Sequence, residues 1–473
     1  MESASLVGAQ TIQTLCYFNG TNGIAPNALA LGNDGNFYGP TCYGGITNST
    51  FTGGMGTVFK VTTNGTLTTL VSFNSTNGAY PNALTLGNDG NFYGTTYEGG
   101  NLSDGWGYGT VFKMTTNGTL TPLIFFSDYG DSGYLINGAY PCGALAFDIE
   151  GNFYGTTECG GNGSEDGTVF EVTIHEGVTT LVSFKGTNGV YPVAGLTLGN
   201  DGNFYGTTYY GGSYGGYQGY GTVFKMTTNG KLTTLVSFAY TNGAYPSAAL
   251  TLGTDGNFYG TTRYGGITNS TYYTDGMGTV FKVTTNGTLT TLVFFNYTSG
   301  ALPNGALTLG SDGNFYGTTE AGGNINLNRG YGYGTVFKVT TNGTLTTLVS
   351  FACTNGAFPM AGLTLGTDGN FYATTMGGGI GNSTHPNGLG TVFRLLIPPV
   401  VPPTLALQFV AGYPVLNLNG MLSNNFVVQY STNLADTNWI NLLSLTNLSS
   451  SPYEFLDPAG VVPPARYYRA FMQ

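Results

Sequence analysis

Short apolar runs alternate with tight polar turns along the chain, and this pattern predicts β-strands. In one stretch, residues 83–86 lead through a Gly-Asn-Asp-Gly turn into residues 91–96, and residues 110–114 lead through an Asn-Gly turn into residues 120–124. Asp-Gly and Asn-Gly between apolar runs are strong hairpin signals, because type I′ turns need positive φ at both central residues. The stretch is therefore predicted to be a four-stranded antiparallel meander with strands a, b, c and d.

The same meander recurs along the chain. A GNFYG-like string follows an acidic turn residue, and a GTVF string comes after it, seven times in the same order. The acidic residues are Asp34, Asp89, Glu150, Asp201, Asp255, Asp312 and Asp368, and GTVF starts at Gly56, Gly109, Gly167, Gly221, Gly278, Gly334 and Gly390. The adjacent Phe and Tyr of each copy must point to opposite faces of the strand. A sheet that is apolar on both faces buries them by stacking with its neighbours around an axis.

The two ends of the repeat array favour a closed ring over an open solenoid. Residues 11–18 match the d strand of other copies, such as residues 66–73, whereas the seventh copy stops after its c strand, residues 391–395. One d strand is thus extra at the front and one is missing at the back. The predicted fold is all-β: a seven-bladed β-propeller of four-stranded blades over residues 1–397, in which the N-terminal strand closes blade seven.

The end of the chain has a different pattern. A Pro-rich linker, residues 398–403, precedes residues 404–473, which contain six alternating runs. These runs predict a small β-sandwich of the fibronectin or immunoglobulin type, and they lie at residues 405–409, 415–418, 426–430, 439–445, 453–456 and 467–471.

Composition narrows the choice of partners. The chain has 12 basic and 23 acidic residues and a net charge of −11. Nucleic acid binding needs clustered Lys and Arg, so no nucleic acid partner is predicted. No apolar run is long enough for a membrane span. The five cysteines show no metal-binding spacing, so no metal or cofactor is predicted. A disulfide between Cys142 and Cys159 stays open, because the sequence does not fix their register.

A basic residue follows GTVF in six of the seven copies. It is Lys60, Lys113, Lys225, Lys282, Lys338 or Arg394, whereas Glu171 stands in the third copy. Its regularity predicts a structural role in pairing within or between blades.

The string GNFYGTTYYGG, followed by GYGTVFKMTTNGKLTTLVSF, within residues 202–238 resembles the GloVer tandem-repeat family of secreted bacterial proteins. The resemblance covers about residues 11–396 and implies an extracellular repeat protein, but it supplies no catalytic residues. The strings FVVQYSTNLADTNWINL and RYYRAF near the C-terminus resemble fibronectin-like modules of secreted bacterial proteins. The sparse charge and the Thr- and Asn-rich surface also favour an extracellular or cell-surface protein.

The predicted binding face is the one that carries the b–c loops and the d–a links, because all the length variation falls there. The two positions before the double glycine that follows strand b vary most, while their neighbours hardly change. Tyr rings and charged side chains at these positions suit the recognition of sugars or peptides. The alternative is drift at tolerant loop edges. The predicted ligand-binding residues are Tyr43, Tyr97, Glu98, Glu158, Tyr209, Tyr210, Arg263, Tyr264 and Glu320.

Three functions remain open at this point. The first is a non-enzymatic extracellular binding or scaffold protein for a glycan or a protein. The second is a polysaccharide-acting enzyme that uses the rim carboxylates Glu98, Glu158 and Glu320, since glycoside hydrolysis needs two carboxyl groups at a set separation. The third is a structural surface-coat or filament component, which the near-identical repeats favour. The two histidines have no recognisable partner in the sequence, so no catalytic residue and no enzyme activity is predicted.

Overall fold

The protein forms two compact units, Met1–Ile397 and Pro398–Gln473, in a computed structural model. The predicted Pro-rich linker, residues 398–403, lies outside the described residues. The structure describes residues 11–47, 52–100, 107–126, 137–148, 150–161, 166–173, 177–266, 276–381, 387–397, 404–410, 413–419, 426–432, 439–445, 453–457 and 466–472.

Within its described residues the first unit contains seven antiparallel sheets, numbered here in chain order. Strand a of sheet 1 is split in two. Sheets 1 to 3 comprise Ile24–Pro26, Ala30–Leu31, Phe37–Tyr43, Thr57–Val61 and Leu67–Ser72; Ala79–Leu86, Phe92–Glu98, Thr110–Met114 and Leu120–Phe125; and Ala139–Phe147, Phe153–Cys159, Thr168–Thr173 and Gly177–Ser183.

Sheets 4 to 7 repeat this order with a shorter strand a. They comprise Thr197–Leu198, Phe204–Thr208, Thr222–Met226 and Leu232–Ser237; Thr251–Leu252, Phe258–Thr262, Thr279–Val283 and Leu289–Phe294; Thr308–Leu309, Phe315–Thr319, Thr335–Val339 and Leu345–Ser350; and Thr364–Leu365, Phe371–Thr375, Thr391–Leu395 and Ile12–Tyr17. The short 3₁₀ helices are Gly186–Asn188, Gly216–Gln218 and Asn328–Gly330. No helix in the described part of the chain has the length and apolar character needed to cross a bilayer.

Neighbouring sheets are joined by a repeated aromatic contact. The Tyr of each GNFYG-like string lies against the Phe of the same string in the next sheet, with ring centroids 4.0 to 4.4 Å apart. These side chains are at most 7% exposed, so the opposite-face placement predicted for adjacent Phe and Tyr is present. The pairs are Tyr38–Phe92, Tyr93–Phe153, Tyr154–Phe204, Tyr205–Phe258, Tyr259–Phe315, Tyr316–Phe371 and Tyr372–Phe37. The last pair joins sheet 7 to sheet 1, so the succession of contacts is cyclic.

The N-terminal strand completes sheet 7, as the repeat offset predicts. Ile12–Tyr17 pairs antiparallel with Thr391–Leu395, with Ile12 opposite Leu395 and Tyr17 opposite Thr391. The Phe18 N–H also donates to the Gly390 carbonyl at 3.1 Å. Two segments separated by most of the first unit therefore form one sheet.

A glycine and a proline pack together at every boundary between sheets. The glycine of each GTVF string has a positive φ, and a Cβ added to it would lie 2.5 to 2.7 Å from the Cδ of a proline in the next sheet. At the closing boundary this pair is Gly390 and Pro26, at 2.5 Å. The residue before each proline also has positive φ, between 54° and 58°, although it is never glycine; the set is Ala25, Tyr80, Tyr140, Tyr191, Tyr245, Leu302 and Phe358.

The basic residue after GTVF is structural, as predicted. In sheet 1, Lys60 Nζ lies 2.7 Å from Asp34 Oδ2, which also accepts a hydrogen bond from the Tyr38 hydroxyl. Burial by itself would raise the pKa of the Asp34 carboxyl group. The hydrogen bonds from Lys60 and Asn36 nevertheless hold that pKa well below its usual range. The pairing is therefore within a sheet, and six sheets have it.

Sheet 3 is the exception. The Tyr154 hydroxyl lies 2.9 Å from Glu171 Oε1 and 3.1 Å from Asp148 Oδ2, so two carboxylates share one donor. Asp148, not the sequence-aligned Glu150, is the acceptor here. The turn has the same length as in sheet 2, and Asp148 stands at the position of Gly87, two residues before Glu150.

The second unit contains two three-stranded sheets in its described residues, and all six strands predicted for this region are present. Leu418, Phe426 and Val428 form a buried cluster to which both sheets contribute. The strands are Thr404–Val410, Tyr413–Asn419 and Tyr453–Leu456 in one sheet, and Ile440–Leu445, Phe426–Ser431 and Tyr467–Met472 in the other.

The contact at the closing boundary can be tested with two alanine substitutions in sheet 7. Gly369→Ala has a positive φ but open space around the new Cβ, so it should cost about 1 kcal/mol from backbone strain alone. Gly390→Ala adds overlaps with Pro26 of sheet 1 and with the Thr375 carbonyl oxygen of its own sheet and should cost about 3 kcal/mol. Chemical denaturation measures both; equal losses would show that the Gly–Pro contact contributes nothing.

Removal of residues 1–18 deletes the outer strand of sheet 7 and exposes the edge at Thr391–Leu395. We expect a melting temperature lower by more than about 10 °C, because the deletion removes the whole strand pairing with Thr391–Leu395 and the buried Phe18. At about 2 °C per kcal/mol for a domain this large, that shift corresponds to a loss of about 5 kcal/mol or more. Removal of residues 1–10, which precede that strand, is the control. An unchanged midpoint for the longer deletion would contradict the closing role of the strand.

Glu171→Lys should stabilise the protein, since it restores the arrangement found in the other sheets. The expected gain in the free energy of unfolding is about 1 kcal/mol, from the removed carboxylate repulsion and a partly exposed ion pair with Asp148. Lys225→Glu in sheet 4 is the reciprocal change and should destabilise by a similar amount. Both effects should shrink in 1 M salt because of screening; a loss of stability in the first variant would contradict the assignment.

Candidate ligand-binding site

A cavity of about 620 Å³ lies where the innermost strands of the seven sheets meet. Its wall is built from small residues next to the Leu that recurs at strand a in each copy of the repeat. A larger side chain would not fit at some of these positions: a Cβ on Gly195 would lie 2.6 Å from the Ala144 carbonyl oxygen of sheet 3. The wall residues include Ala28, Ala83, Ala144, Gly195, Ala249, Ala306 and Gly362.

The first residue of each variable pair follows strand b, and in several sheets it reaches this cavity. Four of them, Cys42, Tyr97, Glu158 and Met376, line the cavity directly. The other three have the equivalent place after strand b, and their N–H groups donate to the residue before the proline of strand a. We call this set the mouth ring: Cys42, Tyr97, Glu158, Tyr209, Arg263, Glu320 and Met376.

Neighbouring side chains of the mouth ring are paired across sheet boundaries. The Tyr97 hydroxyl donates to Glu158 Oε2 at 2.9 Å, and Arg263 Nη2 lies 2.8 Å from Glu320 Oε2. Arg263 Nε is buried and has no hydrogen-bond partner among the described residues. Burial raises the pKa of Tyr209 to about 12, although the Arg263 guanidinium opposes the rise. The ring therefore holds neutral hydroxyls and one unsatisfied donor, and buried donors normally have a partner.

The second residue of each pair is not among the residues that line the cavity. Tyr43 is 48% exposed and packs edge-on against Tyr80, while Tyr264 lies under the Arg263 guanidinium at 5.5 Å. Burial raises the pKa of Glu98. The nine predicted residues thus separate into a mouth set (Tyr97, Glu158, Tyr209, Arg263 and Glu320) and a flanking set (Tyr43, Glu98, Tyr210 and Tyr264).

The strained residues before the prolines support the mouth ring. Tyr140 stacks on Tyr97 with centroids 4.9 Å apart, and Tyr245 stacks on Tyr209 at 5.2 Å. A positive φ costs a non-glycine residue roughly 1–2 kcal/mol, and such strain collects at functional sites. Each of these residues also donates its N–H to the preceding sheet; the Tyr245 N–H bonds to the Tyr220 carbonyl at 2.8 Å.

A family model described as the Gloeobacter/Verrucomicrobia repeat matches residues 5–216, 107–272 and 213–410. The chain belongs to this repeat family. The family resemblance read from the GNFYG and GTVF strings is therefore confirmed. No curated protein matches the chain.

Solved structures similar to this Gloeobacter/Verrucomicrobia repeat protein support a β-propeller-like, all-β fold. A fungal alcohol oxidase of the AA5 family, in complex with copper, is 13% identical and aligns over 98% of this chain and 99% of its own, with a TM-score of 0.51. A gluconolactonase from Xanthomonas campestris is 10% identical over 84% of this chain and 94% of its own, with a TM-score of 0.40. At these identities the likeness concerns the fold alone.

The repeat protein also has an aromatic surface that sequence reasoning identified only in part. Tyr214 and Tyr217, in the b–c loop of sheet 4, are 64% and 54% exposed. The signal was available, since residues 204–224 contain six tyrosines and no charged residue. The two variable positions before the double glycine include only Tyr209 and Tyr210 of this surface. Tyr214 and Tyr217 lie further along, in loops of unequal length whose residues cannot be aligned from copy to copy.

The described residues contain neither an assembled metal site nor a disulfide between the two cysteines of sheet 3. No group of three or more His, Cys, Asp or Glu side chains there is arranged to hold a metal ion. Cys142 and Cys159 are not joined by a disulfide, and Cys142 Sγ lies 3.9 Å from Glu158 Oε2. A second concavity of about 440 Å³ lies beside Asp148, Glu171 and Tyr154 of sheet 3, among the turns that join strands a and b and strands c and d.

Proposed function

We propose that this repeat protein is an extracellular or cell-surface binding or scaffold protein, not an enzyme, and that it recognises a glycan or a protein at the mouth ring. The observation that carries this proposal is that four variable side chains, Cys42, Tyr97, Glu158 and Met376, line one cavity, while the other three have the equivalent backbone place after strand b. They come from seven separate copies of a repeat that is otherwise nearly uniform. A ligand that contacts several sheets at once explains why variation is concentrated there.

The chemistry of the mouth ring supports a polar, uncharged or weakly charged ligand. Glu320 and Arg263 already neutralise each other, and Glu158 is engaged by Tyr97. The Arg263 side chain is partly exposed, and its guanidinium and the hydroxyls of Tyr97 and Tyr209 supply polar contacts for a ligand. Hydrogen-bonding groups of this kind fix the orientation of a ligand in a concave site.

The enzyme alternative is less well supported. Glu98 belongs to the flanking set, whereas Glu158 and Glu320 belong to the mouth set, so the three rim carboxylates do not occupy equivalent places. Glu320 is held in an ion pair. A hydrolytic pair needs one carboxylic acid that is free to protonate a leaving group.

The architecture we propose for this role is a closed ring of seven blades formed by sheets 1 to 7 over residues 1–397. The cyclic Tyr–Phe contacts support it, because each face of every sheet then has a partner. We further propose that residues 404–473 form a small fibronectin-like or immunoglobulin-like β-sandwich after the linker at 398–403. The shared cluster of Leu418, Phe426 and Val428 supports this assignment.

Glycan and extracellular-protein arrays test the proposal with the intact chain. Tyr209→Ala and Arg263→Gln should each weaken the strongest interaction at least tenfold, because each removes polar contacts from the mouth ring. Lys231→Ala, in an exposed c–d turn, is the matched control and should change nothing. Melting temperatures of all three variants show whether they remain folded.

Two results would contradict the proposal. Product release from a polysaccharide that stops in Glu158→Gln or Glu320→Gln would favour the enzyme. Self-assembly of the wild-type chain, seen by analytical ultracentrifugation without any array signal, would favour the structural component.

A further inference from the structure

Four tyrosines of sheet 4 form an aromatic surface beside the mouth ring. Tyr191 precedes the proline of strand a, Tyr210 is the second residue of the variable pair, and Tyr214 and Tyr217 lie in the b–c loop. The rings of Tyr191, Tyr210 and Tyr217 are mutually edge-on, with centroids 5.3 to 6.0 Å apart. We call these four residues the tyrosine platform.

Contacts with neighbouring tyrosines and with the link before strand a hold the platform in place. Tyr214 packs edge-on against Tyr220 at 5.4 Å, and Tyr210 packs against Tyr245 at 5.3 Å. The loop is tied to the link before strand a, because the Tyr191 and Tyr217 hydroxyls lie 3.1 Å apart. A Cβ on Gly186 would lie 3.3 Å from the Gly216 nitrogen, so the two short 3₁₀ helices are in contact. The exposed rings are therefore ordered by their neighbours.

The platform is continuous with the mouth ring. Tyr210 touches Tyr209 edge-on at 4.8 Å, and Tyr209 is a member of that ring. An extended ligand bound at the mouth can pass directly onto the platform without crossing a charged residue. The tyrosine path leads from the mouth ring through Tyr209 and Tyr210 to Tyr217.

The composition of the platform indicates what it binds. Tyrosine has an apolar ring face and a hydroxyl at its edge, and a sugar ring presents the same combination of apolar C–H faces and hydroxyl edges. Ser213 and Gln218, in the same b–c loop, add neutral polar side chains to this segment. No residue between 204 and 224 carries a charge. Lys185 and Asp166 adjoin the link before strand a, and Asp166 Oδ2 accepts a hydrogen bond from the Gly186 N–H at 3.0 Å, so the b–c loop itself has no charge that selects an acidic or a basic ligand.

We infer that the tyrosine platform is a second subsite of the b–c loop face, and that it binds consecutive sugar rings of a neutral polysaccharide whose chain extends from the mouth ring. This inference rests on the proposed binding function and narrows its ligand to an uncharged glycan. A proline-rich peptide, which also docks on aromatic surfaces, is the competing occupant. Such a peptide presents carbonyl acceptors but few donors. The hydroxyl and amide acceptors of the platform would therefore receive no hydrogen bond from it.

Affinity electrophoresis of the full chain in gels that contain soluble β-glucan, xylan or galactomannan tests the inference. Polygalacturonate serves as the acidic comparator and a proline-rich peptide as the competitor. We expect retardation by at least one neutral polysaccharide, and the combined Tyr214→Ala and Tyr217→Ala substitution should weaken it at least tenfold. Binding should also produce a tyrosine difference spectrum in the ultraviolet that the double variant loses.

Tyr331→Ala is the matched control, since Tyr331 is a 41% exposed tyrosine in the b–c loop of sheet 6. It should leave the retardation unchanged. Tyr217→Phe keeps the ring and should retain most of the binding, which separates ring stacking from the loss of a folded loop. Melting temperatures of every variant provide a further check on folding.

The outcomes separate this inference from the function on which it rests. If a neutral polysaccharide binds and the double variant binds it equally well, the platform is not a subsite. If only polygalacturonate or the peptide binds, and Arg263→Gln abolishes it, the mouth ring stands and the neutral-glycan platform is wrong. If no probe binds and the arrays are also silent, both proposals fail.

Discussion

The contact between a tyrosine of one sheet and a phenylalanine of the next is the interaction on which the first unit depends. It occurs at every boundary, including Tyr372 with Phe37, and each such pair contributes about 0.5–1.5 kcal/mol beyond the area that it buries. Because every sheet offers one Tyr face and one Phe face, no sheet is satisfied by a single neighbour. The cyclic order follows from this two-sided requirement, and the strand Ile12–Tyr17 completes the sheet at which the cycle closes.

The same constraint explains where the protein is free to vary. Residues that hold adjacent sheets together, such as Gly390 against Pro26, are nearly invariant from copy to copy within the chain. The side chains just after strand b contact the cavity and each other, and packing does not dictate their identity. Ion pairing and hydrogen bonding across boundaries, as in Arg263 with Glu320, give the mouth ring a defined shape. The repeated sheets therefore hold a site whose side chains differ from one sheet to the next.

The backbone before each proline links the two features. Seven non-glycine residues adopt positive φ there, which the preference of L-residues alone would not predict. Their N–H groups bond to the previous sheet, and two of their rings, Tyr140 and Tyr245, lie under residues of the mouth ring. The strain is tolerated because the sheet boundary and the proline fix the backbone on both sides. The site thus rests on the boundaries that hold the array together.

The sequence by itself determined the strands, the four-stranded repeat and the partner of the N-terminal strand, because these follow from turn chemistry and from the two-residue period of strands. It also marked the variable positions. Only the tertiary structure paired Glu158 with Tyr97 and Glu320 with Arg263, replaced Glu150 by Asp148 as the acceptor in sheet 3, and showed the small-residue cavity and the exposed tyrosines of sheet 4. Those features depend on which side chains meet across sheets. A local sequence pattern does not give the distance between residues that are far apart in the chain.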